Sequence, residues 1–100
     1  GPAERDRSSP VTSVADLPGD ADVVELRIDE GAPIVGKTLQ EAVEAELIDS
    51  EMLAITIERD NRTITPHGGT TIQSGDLITV ISKAGLSDET IQAVNSQERG

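Results

Sequence analysis

The chain of 100 residues contains no cysteine, phenylalanine, tryptophan or tyrosine. Without cysteine it carries neither a disulfide framework nor a cysteine-ligated zinc site. Without aromatic residues its core has to be assembled from Val, Ile, Leu, Ala and Met, and such a core is marginal in a single small domain. Positive charge is scarce too. Lys and Arg number 8 against 19 Asp and Glu, for a net charge of -11. That balance argues against a nucleic-acid partner, because a polyanion is normally met by a net basic face. Only Lys37 and Lys83 are lysines. An acidic surface with little lysine fits a protein from strong salt, where screening relieves self-repulsion, and equally an ordinary acidic bacterial domain. No run approaches the roughly 18 to 20 apolar residues of a membrane helix, so direct membrane insertion is not expected.

One hundred residues make one domain. Residues 1–20 mix Pro, Ser, Asp and Gly without apolar periodicity and read as a linker or tag-derived arm. The opening Gly1-Pro2 fits a cleaved tag or a natural sequence, and the charged-then-apolar order of a leader is missing. The domain is expected over residues 21–96, with residues 97–100 as a disordered tail.

Val24, Leu26 and Ile28 alternate with Glu25, Arg27 and Asp29, the period of a half-buried strand. After a turn region at 31–36, Thr38-Leu39-Gln40-Glu41 has the form of a capping box. It opens a helix with Leu39, Ala42, Val43 and Leu47 on one face. Residues 52–57 form a second, apolar strand, Asp60-Asn61 a two-residue hairpin turn, and 62–65 a short returning strand stopped by Pro66. His67-Gly68-Gly69 reads as a mobile loop. Residues 72–76 turn into a last strand at 77–82, and Ser87 caps a short helix with Ile91 and Val94 facing inward. The expected order is β-α-β-β-β-α, a small α+β sandwich.

Strict alternation places Leu53, Ile55, Ile57, Ile78 and Val80 on one sheet face, and Ala54, Leu77 and Ile81 on the other. Ile55 is then a core residue whose replacement by Asp unfolds the domain. Two apolar faces exceed what so few elements can cover. A homodimer is therefore expected, with Ala54, Leu77 and Ile81 at its interface.

The chemical inventory points away from catalysis. There is one histidine and no nucleophile-elbow or zinc-protease motif, so no catalytic residue is assigned. Asp29, Glu30, Asp49 and Glu51 offer carboxylates for calcium but lack its loop signature, so no metal site is assigned. Anion binding is the stronger possibility. Arg59 and Arg62 bracket the hairpin turn with Asn61, and His67 precedes two glycines; guanidinium groups and exposed N–H groups are what hold phosphate. Arg59, Asn61, Arg62 and His67 are the candidate ligand residues. The alternative is that Arg59 and Arg62 pair with Glu58 or Asp60. On either reading, both arginines are expected to be removable with little effect on folding.

Val24-Glu25-Leu26-Arg27-Ile28, Gly36-Lys37-Thr38-Leu39, Leu53-Ala54-Ile55-Thr56-Ile57-Glu58-Arg59, Thr65-Pro66 and Ile72-Gln73-Ser74-Gly75-Asp76-Leu77-Ile78-Thr79-Val80 follow one another in the chain. This ordered set resembles the TrkA-C domain, the C-terminal lobe of regulators of potassium conductance. The resemblance implies a dimerising, ligand-sensing regulatory domain on the cytoplasmic side of the cell membrane. It would serve a membrane-embedded channel or transporter for potassium or another cation, as part of a membrane protein complex. Some members of the family bind cyclic di-AMP. Here the segment after the first helix, residues 45–51, is acidic where a phosphate ligand wants cations. No cofactor is therefore assigned, a nucleotide or cyclic dinucleotide remaining the ligand class to test. The other reading is a purely structural dimerisation module of a transporter, chloride channels and antiporters included, with no small-molecule ligand.

Overall fold

The computed structural model describes residues 11–19, 21–83 and 86–95. Its elements are β1 (Val11–Leu17), β2 (Ala21–Arg27), α1 (Leu39–Glu44), β3 (Leu53–Arg59), β4 (Arg62–Ile64), β5 (Leu77–Lys83) and α2 (Asp88–Val94). The strands form one antiparallel sheet in the order β1-β2-β5-β3-β4. Ala42 of α1 and Ala93 and Val94 of α2 are buried with Val24, Leu26, Ile57, Ile78 and Val80 of the sheet. Both helices therefore lie on the same side of it, and the fold is the α+β class expected.

The linker expectation for residues 1–20 needs correction over Val11–Leu17, which is a strand hydrogen-bonded to β2. Its alternation is concealed by an irregularity between Ser13 and Ala15. A bulge shifts side-chain parity by one residue, so Val11 packs against the core while Leu17 stays exposed at 37%. Pro18 and Gly19 turn the chain, with Gly19 at φ +81°, a conformation that suits glycine. The remaining part of the arm (residues 1–10) and the expected tail (97–100) lie outside the described residues.

A second bulge, between Ala54 and Thr56, overturns the facial assignment of β3. Leu53 pairs with Ile81, Ala54 with Val80, and Ile57 with Ile78. Leu53 thus joins Ile81 on the face away from the helices and is 62% exposed. Ala54 joins Val80 on the core side and packs partly buried there, rather than standing with Leu77 and Ile81. Ile55, the expected core residue, is 38% exposed, whereas Ile57 is fully buried.

The two helix starts match their sequence signals. Thr38 Oγ1 accepts from Glu41 N at 3.0 Å while Thr38 N donates to Glu41 Oε1 at 2.9 Å. Ser87 Oγ accepts from Thr90 N at 3.2 Å. Helix α1 ends earlier than the apolar pattern predicts, at Glu44, because Glu46 turns to φ +62°. Leu47 still reaches the core through this turn, its N–H donating to Ala42 O at 2.9 Å. Asp60 and Asn61 make the expected hairpin turn with φ of +52° and +65°.

The parity change is directly measurable. Ile57→Ala should lower unfolding free energy by about 2 to 5 kcal/mol, the range for emptying a sealed core site. Ile55→Ala should cost under about 1 kcal/mol, as a surface change does. Urea unfolding of the two variants decides; equal losses would place both residues in the core.

Candidate functional site

Of the four sequence-derived ligand residues, Arg59 is already engaged. At the end of β3 its side chain lies on the core side, as parity from buried Ile57 requires. Its Nε and Nη2 donate to Asp76 Oδ1 and Oδ2, each at 2.8 Å, a two-pronged ion pair. Nη2 also donates to Thr71 O at 2.9 Å. Asp76 is 0% exposed and accepts a further bond from Gln73 N at 3.0 Å. The hydrogen bonds to Asp76 raise the Arg59 pKa above its ordinary value, against the lowering effect of burial. Neither Glu58 nor Asp60, the neighbours considered from sequence, takes this role. The sequence signal for the true partner was the Gly75-Asp76 turn, 17 residues away in the chain.

Asn61 and Arg62 stand exposed at the hairpin. His67 lies in a separate loop, and that loop is fastened. Gln40 N donates to Gly68 O at 2.9 Å and Leu39 N to Thr70 O at 3.0 Å, so the loop supplies partners to the first N–H groups of α1. Thr70 N donates to His67 O at 2.9 Å, and His67 N donates to Thr70 Oγ1 at 3.0 Å. The loop read as mobile is therefore tied at both its carbonyls and its amides.

Gly69 N donates to His67 Nδ1 at 3.1 Å. An accepting Nδ1 bears no proton in the neutral ring, so the proton sits on Nε2. His67 is among the residues that line an apolar cleft of about 210 Å3. Leu39 and Val43 of α1, Met52, Ala54 of β3 and Pro66 line it, with Gly68 beside the histidine. The cleft was not foreseen from sequence, because it needs α1, β3 and the 66–68 loop brought together. An aliphatic pocket bordered by one histidine suits a ligand with a flat or aliphatic body and few polar groups.

Other concavities differ in character. Glu44, Glu46, Asp49 and Glu89 line one depression, which repels an anion. Among the described residues no three carboxylate or imidazole groups converge to hold a metal ion. Asp49, one of the calcium candidates, accepts from Ser87 Oγ at 3.2 Å.

The family model of the TrkA-C domain matches residues 23–94, most of the chain. The chain belongs to the TrkA-C domain family. No curated protein matches it. TrkA-C domains are regulatory domains associated with potassium transport proteins. Within this TrkA-C domain, the arginine ending β3 and the Gly-Asp turn before β5 form one interaction. Strand β1 lies before the matched residues and adds a further strand to the sheet. No helix among the described residues is long and apolar enough to cross a membrane.

Removing Arg59 leaves a buried carboxylate without its cation. Arg59→Ala should therefore lower unfolding free energy by about 3 to 5 kcal/mol, while Arg62→Ala should change it by under about 0.5 kcal/mol. Chemical denaturation measures both. An Arg59→Ala protein as stable as the parent would show that the pair is dispensable.

Proposed function

We propose that this domain is a non-catalytic, ligand-responsive module that works as a homodimer on the cytoplasmic side of a potassium or other cation transport system. A regulatory domain transmits a signal only if something binds its arrangements with unequal affinity. The cleft beside α1 is the place this reading assigns to that ligand. Its support is the combination of TrkA-C membership with an aliphatic cavity whose edge carries a histidine of defined tautomer. The His67 Nε2–H binds an acceptor on the ligand, and Leu39, Val43 and Pro66 cover its apolar part.

Arg59 is a poor phosphate anchor in this reading, since Asp76 answers its charge and, with Thr71, engages its Nε and Nη2 donors. Asn61 and Arg62 remain as exposed polar groups for an extended or anionic ligand. Nucleotides and cyclic dinucleotides are the first class to try, being flat, acceptor-rich and anionic. The second reading, a dimerisation module without ligand, draws its support from the acidic depression near α1, which is unfavourable for phosphate.

A thermal-shift series with nucleotides, cyclic dinucleotides and divalent cations separates the two. A ligand at 100 times its Kd should stabilise the fold by about 2.7 kcal/mol. His67→Ala should keep the parent melting temperature and lose that response. Silence from every compound favours the ligand-free module; a response surviving His67→Ala moves the site elsewhere.

A further inference from the structure

The cleft beside α1 reaches into the core. Leu26, Ile34, Ile78 and Val94 are buried and all four line it, while exposed Leu53 marks its opening. These residues come from β2, the turn region before α1, β5, α2 and β3, so five segments of the chain meet there. The chain has no aromatic ring to occupy such a space. An apolar void leaves its wall atoms without neighbours, and a cavity of this kind stays dry and takes up apolar molecules.

What the cleft lacks narrows what enters it. Among the described residues that line it there is no Lys, Arg, Asp or Glu. His67 brings the one imidazole, and its Nδ1 already accepts from Gly69 N. The neutral ring then has a single N–H left, enough for one oxygen. An ionised group would lose its water here and meet no counter-charge. The neighbouring depression, which shares Val43 and Ile48 with the cleft, adds Glu44, Glu46, Asp49 and Glu89 and repels an anion further. Size sets the other limit. At about 210 Å3 the cleft exceeds the roughly 150 Å3 apolar cavity that holds a benzene ring. With roughly 30 Å3 for each water-sized group, it takes a chain of about six to eight carbons. That falls short of a lipid chain, which spans half of a hydrocarbon core about 30 Å thick.

We infer that the ligand of this cleft is a free, uncharged aliphatic molecule of about six to eight carbons with a single oxygen function. The inference rests on the cleft being the ligand site of the proposed function, and it narrows the ligand from nucleotides to an apolar class. Such a molecule would touch Leu39 and Val43 of α1 together with Ala54 of β3, and so fill the space between that helix and the sheet.

Titration of the full chain with 1-hexanol at neutral pH, followed through its methyl NMR signals, tests it. The methyl groups of Ile34, Val43, Ile78 and Val94 should shift and saturate. Hexanoate, with an ionised head on a chain of the same length, should bind at least about ten-fold more weakly. Ala54→Leu enlarges a lining side chain and should abolish the hexanol shifts with a melting temperature no lower than the parent's. Should that variant not fold, Val43→Phe fills the cleft from α1, and the same loss is expected. Shifts confined to exposed Val14 and Leu17, or shifts that survive cleft filling, would reveal adsorption at the surface and overturn the inference. Co-sedimentation with neutral phosphatidylcholine vesicles would overturn the free ligand in favour of a lipid chain. A His67-dependent response to nucleotides with hexanol silent would overturn the aliphatic class and leave the site standing. Silence from both would overturn the site as well.

Discussion

The fold depends on a carboxylate that has been taken fully out of water. Asp76 accepts two bonds from the Arg59 fork and one from Gln73 N, so its charge and its lone pairs are answered together. Its backbone is equally committed. Ile28 N donates to Asp76 O at 2.9 Å, and Gly75 N donates to Ile28 O at 2.8 Å, which fastens the turn to the chain just after β2. Three segments meet at one residue: the end of β3, the loop before β5 and the exit of β2. A buried ion pair need not be more stabilising than an apolar contact of the same shape. What it does impose is a single arrangement, since any register that separates the pair strands a charge in the interior. In an aliphatic core without aromatic rings to key the packing, that selectivity matters more than it would elsewhere. No buried side-chain polar atom among the described residues lacks a partner.

This interaction also explains what can be read from the amino-acid order and what cannot. Arg59 and Gly75-Asp76 both stand out in the sequence as parts of a familiar ordered pattern, yet linear order does not say that they touch. Local signals fared better. The capping box at Thr38, the hairpin at Asp60-Asn61 and the cap at Ser87 each depend on residues within three or four positions of one another, and each appears where expected. The failures have a common cause. Alternation assigns faces only while every residue advances the pleat by one step. One bulge at β1 hid a strand, and another at β3 moved Leu53 to the open face and Ala54 to the core. Nothing in Ser13-Val14-Ala15 or Ala54-Ile55-Thr56 announces a bulge without the partner strand alongside. The early end of α1 is similar: Glu46 adopts a positive φ that glycine or asparagine would have signalled. The cleft was illegible for a further reason, as it is made by three elements meeting across the core and not by a run of residues.

The bulge at β3 has one more consequence. It makes neighbouring residues of one strand serve opposite sides of the sheet. Ala54 packs partly buried on the core side, while Leu53 pairs with Ile81 and is exposed, and both residues border the cleft. Under the proposed function, a ligand in the cleft would press on β3 at Leu53 and Ala54, beside the bulge. Bulged backbone lacks one rung of the ladder, so it bends where regular strand resists. A ligand that fits the cleft better in one bend of β3 would favour the dimer geometry belonging to that bend, by no more than its difference in affinity between the two. The reverse follows from the same linkage: the second copy would alter ligand affinity by the same factor.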